Sequence, residues 1–146
     1  MNKSILNQLM MNKSIMVPVM AWLTAQLTKV FWSIISNKKL DITRLLGSGG
    51  MPSSHSAFIL ALATVVGKKY GFDSYIFGIA LTVSFVVMTD AAGIRRAAGS
   101  QAKALNKILF TQNIQFDERL KELLGHTPFE VIIGAFLGIT FGLIFG

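Results

Sequence analysis

Residues 49–67 of the chain read GGMPSSHSAFILALATVVG, a polar turn that carries a histidine and opens directly into an apolar run. A second junction of this kind lies at residues 125–146, which read GHTPFEVIIGAFLGITFGLIFG. His55 and His126 are the only histidines in the chain. Histidine changes its charge near neutral pH, so its position at both loop–helix junctions indicates proton transfer or nucleophilic attack.

The composition is typical of a membrane protein. Of the 146 residues, 52% are hydrophobic and 14% are charged, whereas about 25% are charged in an ordinary soluble domain. The net charge of +7 favours anionic lipid or a phosphorylated substrate as partner and no nucleic acid, because the chain lacks a polar surface on which to display its cations. With no cysteine, disulfides, thiolate chemistry and cysteine-bound metals are excluded.

Four apolar segments predict an all-α fold, an integral membrane bundle of about four transmembrane helices within a single domain, residues 1–146. The segments are residues 14–35, 51–67, 74–94 and 127–146, of which the second is near the lower length limit for a span. We expect residues 1–13 to be a flexible N-terminal segment. Residues 97–108, rich in alanine and lysine, predict a helix that lies at the membrane interface.

If all four segments cross, the connections alternate between the two faces of the membrane. Residues 37–50 and 95–126 then share one face, which brings together His55, His126, Arg44, Arg95 and Arg96. Most of the cations lie on this face (Lys38, Lys39, Arg44, Arg95, Arg96, Lys103, Lys107, Arg119 and Lys121, against Lys3, Lys13, Lys68 and Lys69 on the other). The positive-inside rule predicts that this face is cytoplasmic, although a phosphate site would gather cations in the same way.

Two groups of residues have both a chemical and a purely structural interpretation. Glu130 follows His126 by four residues, so its carboxylate can fix the histidine tautomer and leave the other nitrogen free to attack, or it can simply cap the helix. Ser53 and Ser54 begin an apolar helix whose free amides can hold an anion beside His55, or they can be ordinary capping residues. The residues alone leave both alternatives open.

Charged residues inside the apolar segments are hypotheses of function by default. Asp90 either organises Arg95 or Arg96 for phosphate or neutralises Lys29 within the membrane, and the sequence slightly favours the second. Lys29 can also reach the surface from near its helix end. Gly134, Gly138 and Gly142 form a smooth stripe that suits tight packing inside the bundle or, less often, a homodimer contact.

Two motifs resemble those of a known superfamily. Pro52-Ser53-Ser54-His55 resembles the Pro-Ser-Gly-His motif of the type 2 phosphatidic acid phosphatase (PAP2) superfamily, which includes vanadium haloperoxidases. His126 to Val131 resembles the third motif, in which a histidine precedes an acidic residue by four positions. The blocks 49–56, 90–102, 105–106 and 120–128 are more similar to the divergent PAP2 family of small bacterial and plastid membrane proteins, a resemblance that extends from about Ala25 onward.

This resemblance implies a PAP2-like core and hydrolysis of a phosphate or diphosphate monoester on a lipid head group, with no metal and no other cofactor. His126 would be the nucleophile that forms a phosphohistidine, Glu130 would orient it, and His55 would protonate the leaving oxygen. The phosphate would be held by Ser53, Ser54, Arg44, Arg95, Arg96 and Lys29, with Asp90 in support. The expected location is a bacterial cell membrane.

The chain also departs from the superfamily pattern. The first motif, a lysine followed seven residues later by Arg-Pro, is absent, and Leu120 stands where the third motif has an arginine. Four segments replace the usual six helices. A phospholipid-binding or transport protein that retains the phosphate pocket without catalysis is therefore an alternative. A metal site built from His55, His126, Glu130 and Asp90 is a third possibility.

Overall fold

The computed structural model describes residues 4–37, 50–112, 119–122 and 124–146. These residues form helices and connecting turns, which confirms the all-α prediction. The helices are α1 (Ile5–Met11), α2 (Lys13–Asn37), α3 (Ser54–Tyr70), α4 (Tyr75–Ala92), α5 (Ile94–Thr111) and α6 (Pro128–Phe145).

Helix α3 is the centre of the bundle and packs against α2, α4 and α6. Its small residues, including Ala57 and Ala61, are fully buried. Among the described residues, three helices are long and apolar enough to cross a membrane: Lys13–Ile35, the α4–α5 stretch Tyr75–Thr111, and Pro128–Phe145. The 17 residues of α3 lie among these helices, so the predicted membrane bundle is confirmed, with the helix of the shortest predicted segment as its core.

The directions of the helices follow from contacts at the two ends of the bundle. At one end, Lys68 Nζ donates to the carbonyl oxygens of Leu143 (2.7 Å) and Gly146 (3.1 Å), and Lys13 Nζ approaches the same Gly146 oxygen. At the other end, the amide of Ser53 donates to the carbonyl of Glu130 (3.0 Å) and the amide of His126 to that of Ala91 (2.9 Å). The helices therefore alternate in direction, as the hydropathy pattern predicts, and both histidine turns lie at the second end.

The glycine stripe of α6 lies against α3 in the same chain. A Cβ atom added to Gly134 would overlap the Ser53 carbonyl, one at Gly138 the Ala57 carbonyl, and one at Gly142 the Thr64 side chain. All three glycines are buried. The stripe thus serves packing inside the bundle, the first of its two interpretations, and it leaves no exposed surface there for the homodimer contact that was the alternative.

Two segments have local structure that the sequence analysis did not specify. Residues 5–11 form helix α1, and Ser4 caps it by accepting from the amide of Asn7. Helix α5 is longer than the predicted 97–108: it begins at Ile94, directly after Gly93 ends α4. The chain therefore leaves the apolar α4 and continues as a cationic helix with a single residue between them.

Candidate functional site

The backbone before α6 places His126 against the end of α4. Gly125 has a positive φ of 81°, a conformation that favours glycine, and a Cβ atom there would overlap the backbone of Arg95 and Arg96. The next amide, that of His126, donates to the carbonyl of Ala91. Gly125 is thus needed both for its conformation and for the close approach, and it directs the His126 ring into the bundle.

Glu130 holds the His126 ring and caps α6 at the same time. Glu130 Oε2 lies 3.4 Å from His126 Nδ1 and accepts from the Thr127 amide at 2.9 Å, while Thr127 Oγ1 accepts from the Glu130 amide. A carboxylate can only accept, so the neutral ring carries its hydrogen on Nδ1 and its lone pair on Nε2. The capping and the chemical interpretations of Glu130 therefore both apply.

The free nitrogen of His126 is buried and unprotonated. The residue is 2% exposed, and Nε2 has no well-formed hydrogen bond within the described residues. Burial, reinforced by the Lys29 ammonium, lowers the pKa of His126 below its ordinary value of 6.5, although Glu130 and the Gly50 carbonyl act in the opposite direction. A lowered pKa keeps the imidazole neutral at pH 7, which is the form that can act as a nucleophile.

His55 is in contact with an arginine that is itself held by a carboxylate. Arg95 Nη1 lies 3.3 Å from His55 Nε2, and Arg95 Nε forms an ion pair with Asp90 Oδ2 at 2.6 Å. A guanidinium has no lone pair to offer, so His55 accepts at Nε2 and carries its hydrogen on Nδ1. This Nδ1 is also buried without a hydrogen bond in the described chain.

Asp90 pairs with Arg95 and not with Lys29, so the slightly favoured interpretation of Asp90 was wrong. The pairing over five residues is possible because α4 and α5 are separate helices that meet at Gly93. Within one continuous helix, residues five apart do not face each other.

The two histidine rings form the centre of the site. Their centroids are 6.1 Å apart and their planes are inclined by 63°. Each ring has one nitrogen engaged by a charged side chain and one buried nitrogen that makes no well-formed hydrogen bond within the described residues. Two residues that are 71 positions apart in the sequence thus have their rings side by side in the structure.

Lys29 extends into the bundle beneath the histidines. It is 3% exposed, and its Nζ donates to Gln26 Oε1 at 2.9 Å and to Ser54 Oγ at 3.1 Å. Glu130 is close enough to interact with it electrostatically. Lys29 therefore reaches the beginning of α3 and does not extend towards the surface.

The two serines of the first turn have different roles. Ser53 caps α3 by accepting from Ser56, and its amide is already bonded to Glu130, so the expected phosphate contact from the Ser53 amide is not available. The amides of Ser54 and His55, the first two of α3, have no acceptor within the described chain, as is usual at a helix start. Ser53 joins α3 to α6, while the next two amides can face an anion.

Other expected site residues lie elsewhere. Arg44 is outside the described residues. Arg96 is exposed on α5, because adjacent helical residues point in directions about 100° apart and Arg95 occupies the direction of His55. The described residues contain no group of three or more histidine, aspartate or glutamate side chains that could hold a metal. Asp90 and Glu130 each face a different partner instead.

The sequence analysis did not identify Gln26 and Ser33 as part of this region. Both are buried on α2 with Lys29, and Ser33 Oγ has no hydrogen bond in the described chain. Their spacing of three and four residues from Lys29 places them on one helix face. Polar residues at that spacing in an apolar segment were the signal that could have revealed a polar face.

Comparison with known proteins agrees with this architecture. Residues 10–141 match the family model described as "Divergent PAP2 family". The chain is 37% identical to the uncharacterized membrane protein YuiD of Bacillus subtilis (strain 168), over 94% of this chain and 96% of that protein. No solved structure matches the chain. The histidine turns thus occur in a chain that, by this match and by its helices, belongs to the divergent PAP2 family of membrane proteins.

Proposed function

We propose that the protein is a metal-independent lipid phosphatase that hydrolyses a phosphate or diphosphate monoester through a phosphohistidine. The observation that carries the proposal is the pair of imidazoles, His126 buried and His55 half-buried, with centroids 6.1 Å apart. Each is held by a charged residue at one nitrogen and makes no well-formed hydrogen bond at the other within the described residues. Covalent catalysis of this kind needs a neutral nucleophile, an orienting carboxylate and a proton donor.

In the first step, His126 Nε2 attacks phosphorus and the bond from phosphorus to the lipid oxygen breaks. The leaving oxygen takes a proton from His55, and Glu130 stabilises the positive charge that develops on His126. In the second step, water attacks the phosphohistidine and releases inorganic phosphate, and the water's proton returns to His55. The sum is ester plus water giving alcohol plus phosphate, with both histidines restored.

Arg95 couples phosphate binding to the protonation of His55. A protonated imidazole and a guanidinium are both donors, so His55 cannot take up a proton at Nε2 while Arg95 Nη1 contacts that atom. An incoming phosphate offers Arg95 an anionic acceptor and frees Nε2. When substrate is present, His55 can therefore bind a proton at Nε2 and act as the acid.

Lys29 is our candidate for the charge that the missing first motif supplies in the superfamily. Its ammonium is bonded to Ser54, next to the free amides at the start of α3. A cation in a buried site stabilises phosphoryl oxygens strongly because water screens it little. In the same proposal the site faces the cytoplasm, since its end of the bundle has most of the cations.

The test is phosphate release by the purified protein in detergent or nanodiscs, with chelator present and lipid phosphates such as phosphatidate or a polyprenyl phosphate as substrates. We expect turnover that survives exhaustive chelation. Tight binding of the lipid without phosphate release over a long incubation would contradict catalysis and favour the binding or transport alternative. Loss of activity on chelation would contradict the metal-free mechanism.

Replacing Glu130 with glutamine tests the role of its carboxylate. We expect the rate to fall by about 10²–10⁴-fold, the usual contribution of acid–base groups, because the charge on His126 is no longer stabilised. Glu130 opposes the lowering of the His126 pKa, so its removal lowers that pKa further. The acidic limb of the pH–rate profile should therefore move to lower pH, whereas a limb that stays in place or moves to higher pH would contradict this assignment.

A further inference from the structure

The chain that leads to His126 is supported by α5. Asn106 Nδ2 donates to the Leu120 carbonyl (2.8 Å) and to Glu122 Oε1 (2.9 Å), and Asn106 Oδ1 accepts from the Leu120 amide (3.0 Å). Further along, Gly99 lies against the carbonyls of Glu122 and Leu124, and Gly125 lies against the Arg96 backbone. Successive residues thus contact successively earlier positions of the helix.

The described residues of this chain run antiparallel to α5, with a local turn in which the Leu124 amide donates to the Glu122 carbonyl (3.0 Å). We call these described residues, 119–122 and 124–126, the lead segment. Helix α5 fixes the position of the lead segment, and α5 and the lead segment together fix the position of His126.

Helix α5 itself packs on no described helix other than α4, and it presents two unlike exposed faces. Ile94, Leu105 and Ile108 are exposed on one side. At 3.6 residues per turn, the exposed Lys103 and Lys107 lie on the opposite side. Residues 94–111 contain no acidic residue (IRRAAGSQAKALNKILFT). The exposed Phe110, in the last turn, is the apolar exception on the side of the lysines. An apolar face opposite a face rich in cations is the pattern of a helix that lies in an anionic membrane interface.

We propose that α5 docks on the anionic lipid of the leaflet at the histidine end, and that this lipid surface thereby sets the position of His126 through the lead segment. The occupant is lipid because α5 begins one residue after the end of α4, at the membrane boundary. Its cations complement anionic head groups, and its apolar side faces the acyl chains. The docking is independent of the proposed phosphatase activity; only its effect on turnover rests on that proposal.

The chain has no cysteine, so one introduced cysteine gives a unique label. Leu105→Cys and the control Lys103→Cys carry an environment-sensitive fluorophore in nanodiscs of neutral or partly anionic phospholipid. In anionic nanodiscs we expect Leu105→Cys to be quenched by lipid-borne quenchers and Lys103→Cys by aqueous iodide. The difference in quenching between the two positions should be smaller in neutral lipid. Equal iodide quenching at both positions in anionic nanodiscs would overturn the docking.

The link to His126 is tested by hydrogen exchange, which needs no catalytic activity. Asn106→Ala removes the acceptor of the Leu120 amide, so that amide should exchange about tenfold faster or more, and exchange in the rest of the lead segment should rise with it. Gln101→Ala, an exposed change on the same helix, serves as the control. Unchanged exchange in Asn106→Ala would overturn the link, whereas absence of phosphatase activity in the unaltered protein would overturn only the proposed function.

Discussion

Phosphate release is expected to fall by about 10⁴-fold or more when His126 is replaced with glutamine, as is typical when a covalent nucleophile is lost. Glutamine retains a polar side chain of similar reach but cannot form the phosphorylated intermediate. The measurement is turnover of the lipid phosphate together with trapping of labelled enzyme. The unaltered protein should yield an acid-labile, alkali-stable phosphoryl group, which is characteristic of phosphohistidine, and His126→Gln should yield none.

Two comparisons make this result specific to the nucleophile. Ser84→Ala removes a buried hydroxyl that bonds to the Ile59 and Ala80 carbonyls away from the histidines, and it should leave turnover essentially unchanged. His55→Gln should impair alkyl phosphates far more than aryl phosphates, because an aryl oxide leaves without protonation, while His126→Gln should impair both equally. Substantial turnover in His126→Gln would contradict the mechanism.

Replacing Gly138 with alanine is expected to destabilise the bundle by about 1–3 kcal/mol, the usual cost of adding a methyl group to a close-packed contact. The new Cβ would overlap the Ala57 carbonyl, which is helix backbone and cannot move without displacing α3. The measurement is the thermal unfolding midpoint in detergent.

Gly78→Ala is the matched control. Gly78 also lies within a helix, but an added Cβ meets nothing within 4 Å. There the higher helix propensity of alanine predicts no loss or a gain of up to about 1 kcal/mol. A similar destabilisation in both variants would show that the α3–α6 contact does not depend on the glycine.

The sequence was sufficient to predict the membrane helices of the bundle and the end at which the histidines meet. Long apolar runs in a membrane protein have few alternatives to helix, and alternating crossings bring the two junctions to one face whatever the packing. The pairing of His126 with Glu130 also followed from their spacing of four residues, since it is local to one helix start.

The remaining features of the site depend on contacts between distant segments. Which of Arg95 and Arg96 reaches His55 is set by the angle between α4 and α5, which periodicity does not contain. The bond between Lys29 and Ser54 requires α2 to lie beside α3, and the Ser53–Glu130 bond requires α3 beside α6. Asn106 is an ordinary polar residue in the sequence and acquires its role only because the lead segment returns along its helix.

The buried side of α2 also bears on how the protein is inserted into the membrane. With Gln26, Lys29 and Ser33 on one side, α2 has the lowest mean hydropathy of the three candidate spans, 1.3 against 1.8 and 2.0. A lysine at the centre of a membrane helix costs about 2.5–3.5 kcal/mol during translocon-mediated insertion, and Lys29, which lies towards the end of α2, bears part of that cost. The partners of that lysine include Ser54, which is synthesised later. We therefore expect α2 to gain its full stability in the bilayer only when α3 packs beside it.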